Sequence, residues 1–202
     1  RPSLCVEFLH TSSLIFDDIM DEDDYRRGNP GIQLKLRKSF LNSNKEQKYK
    51  GNIFCYNSKR YAASQSMLLG LLCETLSRDV LLKSGFSQTK ITECIDVLDC
   101  AFRDLIYGQM RDIGFETSKD ISSEDYLEMI LLKTGSLFVV AFEIAGILAG
   151  TDKDTIDMLK EFARNISLTF QIQDDIMDVS KEHKKGHDLG SDIRKGKKTL
   201  LL

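Results

Sequence analysis

The pentapeptide Asp17-Asp18-Ile19-Met20-Asp21 occurs twice, returning as Asp174-Asp175-Ile176-Met177-Asp178. Each copy closes an apolar run, Leu14-Ile15-Phe16 before the first and Leu168-Thr169-Phe170 before the second. On a helix the first and fifth residues of such a string lie one turn apart on one face. Three carboxylates then crowd a helix end, and like charges at that spacing repel. Mg²⁺ is the natural counter-charge, because it takes oxygen ligands and joins one or two carboxylates to a substrate phosphate. A solvated acidic helix end is the plain alternative for a single copy. Repetition after two apolar runs favours metal.

Basic residues stand near both strings. Arg26-Arg27 follow the first, Lys133-Thr134 precede Gly135, and Lys184, Lys185, Arg194, Lys195, Lys197 and Lys198 follow the second. Arginine binds phosphate oxygens in a two-point fork and lysine adds a point charge. Carboxylates for Mg²⁺ beside Arg and Lys have the composition of a diphosphate site.

These groups need elements to hold them. Apolar residues recur at helical spacing from Leu4 to Met20, from Arg60 to Leu82 and from about Ser87 towards Met110. Ser122 or Ser123 before Glu124-Asp125 caps a helix running to about Thr134. The strongly apolar stretch 135–150 reads as a buried helix whose one charge, Glu143, reaches a helix end or a partner. A last helix runs from Lys153 to about Asp178. Residues 33–59, polar and rich in Lys and Asn, read as a long loop or insertion. No stretch alternates as a strand. The expectation is an all-α domain of antiparallel helices over residues 1–202.

With 42% hydrophobic and 29% charged residues among 202, the chain suits one globular domain with a substantial core. A net charge of −3 predicts no attraction to nucleic acid or anionic lipid. The five cysteines form no C-x-x-C pair and read as small core residues in a reducing compartment, cytoplasmic or organellar. No apolar run has the length of a transmembrane segment, and the first residues carry no signal or transit pattern.

The motifs together resemble the trans-isoprenyl diphosphate synthases, or polyprenyl synthetases. The string Glu7-Phe8-Leu9-His10-Thr11 through Asp21, then Arg26-Arg27-Gly28, is similar to the family's first aspartate-rich motif. Gly108-Gln109 with Asp112 resembles its G-Q-x-x-D segment, and Lys133-Thr134-Gly135 its K-T-G. Phe170-Gln171 through Asp178 resembles the second aspartate-rich motif, and Gly190-Ser191-Asp192 with Gly196-Lys197 the segment after it. The resemblance implies an isoprenoid-synthase-type helical bundle around a central cavity, and a homodimer. It implies that Asp17, Asp18, Asp21, Asp174, Asp175 and Asp178 serve Mg²⁺ on an allylic diphosphate. Arg26, Lys133 and Lys197 would contact that diphosphate, and Arg27 that of isopentenyl diphosphate. Thr134 and Gln171 would line the reacting end. The implied reaction adds five carbons to the allylic chain.

In that family, bulky aromatics one turn before the first aspartates floor the product channel. Ser12 and Ser13 stand there instead, with Leu9 below, which implies a product of geranylgeranyl length or longer; Met110 is a candidate for a lower floor. The family's early G-K-x-R segment is absent and Leu4-Cys5 join closely, so the resemblance implies an incomplete domain. The competing expectation is a catalytically inactive regulatory subunit of a heteromeric synthase. Two intact aspartate strings argue against it.

Overall fold

The structure, a computed structural model, describes residues 2–179. It is all-α, as expected. Helices α1 (Leu4–Met20), α2 (Ile32–Ser43), α3 (Asn57–Leu82), α4 (Gln88–Thr117), α5 (Ser123–Ile130), α6 (Ser136–Ala149) and α7 (Lys153–Val179) account for most of it. A π-helical turn, Leu131–Gly135, joins α5 to α6. Contacts gather the described chain into two compact units, residues 7–77 and residues 2–6 with 78–179. The boundaries fall inside α1 and α3.

In the unit of residues 7–77, the Ser12 hydroxyl of α1 donates to the Gly70 carbonyl of α3 at 2.9 Å. The Phe16 ring lies against Gly70 so closely that a Cβ there would meet Phe16 Cε2 at 2.8 Å. The expected loop at 33–59 is instead helical as far as Ser43. Only Leu34 is buried along α2, so the helix shows almost no apolar periodicity. Directional contacts hold it. The Gln33 amide donates to the carbonyls of Asp18 (3.0 Å) and Asp23 (2.8 Å), and the Phe40 ring packs on Tyr61 with centroids 4.8 Å apart. Residues 44–56 are irregular, with one bridge between Lys48 and Tyr56.

The sequence also hides a hairpin. Two short antiparallel strands, β1 (Tyr25–Arg26) and β2 (Asn29–Pro30), flank Arg27 and Gly28. These two central residues have φ of +50° and +74°, the left-handed pair that a tight hairpin turn requires.

In the other unit, the buried stripe of α4 runs through Ile91, Cys94, Leu98, Ala101, Leu105, Gly108 and Asp112, in alternating steps of three and four. Helix α6 packs between α4 and α7. Gly146 permits the approach of α7, since a Cβ there would lie 2.9 Å from Ile156 Cγ1. Glu143 pairs with Lys160 of α7 at 2.7 Å, the partner expected for it. Ser122 and Asp125 form a reciprocal capping box at the start of α5. Gly150, at φ +77°, ends α6.

Two expectations change here. Because the π turn joins α5 to α6 without a break, the helical run Ser123–Ala149 is long and apolar enough to cross a bilayer by length and composition alone. Part of its apolar surface is instead spent on α4 and α7. Of the cysteines, Cys5 and Cys94 are core residues, but Cys55 and Cys100 are exposed and Cys73 is half-buried.

Candidate functional site

The first pentapeptide closes α1. The backbone N–H of Asp21 donates to the Asp17 carbonyl at 2.9 Å, completing the last turn. Glu22 then takes φ +52°, and Asp23 N–H reaches back to the Asp18 carbonyl at 2.9 Å. This is a left-handed helix stop made without glycine. The hairpin follows and carries Arg26 back over the helix end. Its guanidinium spans both carboxylates: Nη2 donates to Asp17 Oδ2 at 2.8 Å and Nε to Asp18 Oδ1 at 2.6 Å.

The crowding inferred from the sequence is therefore relieved, within the protein, by a guanidinium. Asp18 is 4% exposed. Burial pushes its carboxyl above the usual range, and Arg26 only partly pulls it back. Burial would lower Arg26, but Asp18 and Asp17 outweigh it and raise the guanidinium further. Arg26, which the resemblance places on substrate diphosphate, thus braces the aspartates. Arg27 is exposed at the hairpin tip.

Leu9 and Ser12 are buried, and Ser12 is committed to the α1–α3 contact. Ser12 therefore packs between α1 and α3. Ser13 is half-buried and donates within its own helix, to the His10 carbonyl at 2.8 Å. Met110 is 64% exposed, beside Tyr107, Arg111 and Leu132.

In the other unit, three separate motifs meet. Gly108 of α4 lies against the π turn so tightly that a Cβ would fall 2.3 Å from Lys133 N and 2.6 Å from its Cα. That approach lets Lys133 Nζ reach Asp112 Oδ2 at 2.5 Å. The next residue, Thr134, donates from Oγ1 to Gln171 Oε1 of α7 at 3.0 Å. Gln171 Nε2 in turn donates to Asp175 Oδ1 at 3.0 Å, and the Tyr126 hydroxyl of α5 donates to Asp175 Oδ2. A π turn within an α-helix commonly marks a functional site, because its wider winding re-aims side chains. Here it aims Lys133 towards α4 and Thr134 towards α7.

Asp175 was expected to join Asp174 on the metal. It is 5% exposed and its two oxygens accept from Gln171 and Tyr126. Tyr126 escapes a reading of the sequence, since a tyrosine in the first turn of an amphipathic helix looks like core. Lys197 and the side chain of Asp178 lie outside the described residues.

The aspartates offer only hard oxygen donors, which suit Mg²⁺. Among the described residues no three His, Cys, Asp or Glu side chains converge on a point. The fit is to an ion held by one or two carboxylates and completed by phosphate and water, not to a closed protein cage.

The sequence pattern of the family described as Polyprenyl synthetase matches residues 1–202. A short chain isoprenyl diphosphate synthase of Methanocaldococcus jannaschii is 34% identical over 198 residues, covering 98% of this chain and 52% of that protein. A geranylgeranyl diphosphate synthase of Methanosarcina mazei is 30% identical over 201 residues, covering 99% and 54%. The chain thus spans about half the length of these curated relatives. Among solved structures, the geranylgeranyl pyrophosphate synthase from Corynebacterium glutamicum, complexed with isoprenyl diphosphate and magnesium, superposes with a TM-score of 0.85 at 28% identity, covering 98% of this chain and 53% of that one.

Proposed function

We propose that this chain, which belongs to the polyprenyl synthetase family, is part of a Mg²⁺-dependent prenyltransferase that condenses isopentenyl diphosphate with an allylic diphosphate. One observation carries the reading. Side chains from three motifs far apart in sequence, Asp112, Lys133-Thr134 and Gln171, are joined through an ion pair and a hydrogen bond around one turn of helix.

Asp17 and Asp21 would serve Mg²⁺ at the first motif and Asp174 at the second, each within its own unit; when bound, the ion would neutralise diphosphate charge and favour its departure. Arg26 keeps Asp17 and Asp18 ordered and offsets their repulsion. Arg27, exposed on its turn, would contact the diphosphate of isopentenyl diphosphate. Lys133 supplies cationic charge beside Thr134 and Gln171, which offer oxygen atoms to an electron-poor allylic carbon. In the reaction the allylic C–O bond breaks and diphosphate leaves with the electron pair. The double bond of isopentenyl diphosphate forms the new C–C bond, and the resulting cation gives up a proton to the departed diphosphate, restoring a double bond.

The relatives named geranylgeranyl diphosphate synthase, with Ser13 where a bulky floor would stand, support a product of that length or longer. The exposed apolar face of α3, Met67, Leu68, Leu71 and Leu72, supports assembly as a homodimer. Free cysteines support a reducing compartment.

The test is incubation of the full-length protein with Mg²⁺, radiolabelled isopentenyl diphosphate and farnesyl diphosphate, with products separated by chromatography. A chain-extended product is expected, shortened by Ser13→Phe. No extended product from a folded sample overturns the proposal.

A further inference from the structure

Resting on that reading, we infer that Tyr126 and Asp175 form a buried positioning pair that fixes the Gln171 amide and, through it, the Thr134 hydroxyl. Asp175 would then act inside the protein while its neighbour Asp174 serves the metal.

The argument is one of donors and acceptors. An ionised carboxylate accepts hydrogen bonds and donates none. Asp175 therefore requires the NH₂ side of Gln171 at Oδ1, and the observed contact is Nε2 to Oδ1 at 3.0 Å. That leaves the amide oxygen of Gln171 to accept from Thr134 Oγ1, at 3.0 Å. The Thr134 proton is thereby committed to α7, and the lone pairs of its oxygen point elsewhere. Reversing the amide would place acceptor against acceptor at Asp175, whereas the Thr134 hydroxyl, which can donate or accept, would follow either orientation; the carboxylate therefore decides that Thr134 donates. Each link has one orientation, set from the carboxylate outward.

Asp175 must itself be held. The Tyr126 hydroxyl donates to its other oxygen. Tyr126 is 3% exposed and packs with Met129 and Ile130 against Phe115 and Leu168. Its ring is thus fixed by α4, α5 and α7 together, and the capping box at Ser122 and Asp125 fixes the turn of α5 that carries it. A buried charge is stable only when paired or hydrogen-bonded, and these two donors meet that need on both oxygens. A carboxylate committed in this way is poorly suited to a metal, because releasing Oδ2 would strand a buried phenol and releasing Oδ1 would free the half-buried Gln171 amide to turn.

The test uses full-length Tyr126→Phe, Asp175→Asn and the double variant. Turnover, KM for isopentenyl diphosphate, half-saturation by Mg²⁺ and melting temperature are measured for each. The expectation is a fall in kcat of about ten-fold for Tyr126→Phe, because a reacting group is misplaced while substrate binding is intact. KM and Mg²⁺ half-saturation should stay within about two-fold in all variants. The double variant should be no worse than Asp175→Asn, since both act through one bond. Melting should fall by about 5 °C in Tyr126→Phe, also without additivity. A rise in Mg²⁺ half-saturation for Asp175→Asn with Tyr126→Phe silent in kcat and melting would overturn the inference and make Asp175 a metal ligand. If Asp175→Asn does not fold, Tyr126→Phe alone decides: unchanged kcat and melting overturn the pair. If the parent protein extends no chain, the proposed function fails, while the melting cycle still tests the pair.

Discussion

Replacing Gly108 by alanine should destabilise the protein, although it sits inside a long helix where alanine is normally preferred. At an open helical position the exchange gains about 0.5–1 kcal/mol, from lower backbone entropy in the unfolded chain. At Gly108 the new Cβ would lie 2.3 Å from Lys133 N, 2.6 Å from Lys133 Cα and 2.8 Å from the Leu132 carbonyl carbon. All three are backbone atoms, so no rotamer change relieves them. Reaching an ordinary contact of 3.4 Å requires α4 and the π turn to separate by 3.4 − 2.3 = 1.1 Å. Overpacking of that kind costs about 2–4 kcal/mol after the propensity gain is subtracted. For a chain of this size the melting temperature should fall by about 5–15 °C. The same shift carries Lys133 and Thr134 with it, and a displacement near 1 Å lowers turnover by about 100-fold. Gly114, six residues further along α4, has nothing within 4 Å of the place a methyl would take, so Gly114→Ala should leave stability equal or raised by up to about 1 kcal/mol. Thermal and denaturant unfolding of the two variants, with turnover, decide the matter. Equal stability of Gly108→Ala and parent, or an equal fall in Gly114→Ala, would refute the reasoning.

Two further outcomes follow from the side-chain environments. Arg26→Leu, measured in EDTA, strips a buried carboxylate of its fork and should cost about 1–3 kcal/mol at neutral pH. Asp18 is already raised in the folded state, so its protonation favours folding; stability from this group is present at acid pH and lost as pH rises through the raised value. The deficit of Arg26→Leu should therefore shrink on acidification, and a deficit that grew instead would place the lost interaction elsewhere. Thiol labelling of the native protein should separate the cysteines. Cys55 and Cys100, both exposed, should react first, whereas burial pushes Cys5 and Cys94 up to about 11 and should hold them back until unfolding. A single rate for all five would contradict the burial.

The parts of the fold legible in the sequence are those built on apolar periodicity. Helices α1, α4, α6 and α7 each bury a stripe, and their ends are legible to within a few residues except for α4, which continues past Met110 to Thr117. Helix α2 was not legible, because it is held by the Gln33 amide and an aromatic pair while burying only Leu34. The hairpin was not legible either: two residues are too few to alternate, and its turn uses Arg27 where a glycine or asparagine would have announced it. At the site, spacing told which residues belong together but not which atoms meet. Nothing in the string Asp17-Asp18 distinguishes a carboxylate awaiting metal from one held by Arg26. Likewise the repeated pentapeptide looks uniform, yet Asp175 is turned to Tyr126 because α7 buries that position.

The contact between Phe16 and Gly70 has a historical consequence. A methyl at residue 70 collides with the Phe16 ring at 2.8–3.2 Å, whereas a smaller side chain at residue 16 merely leaves space behind. Change at these two positions is therefore ordered. The aromatic ring next to the first aspartate must shrink or turn aside for the glycine to be replaced, and a lineage that gained the methyl first would pass through an intermediate with a displaced ring. Phe16 and Gly70 should accordingly vary together among descendants of this chain, in one direction of travel.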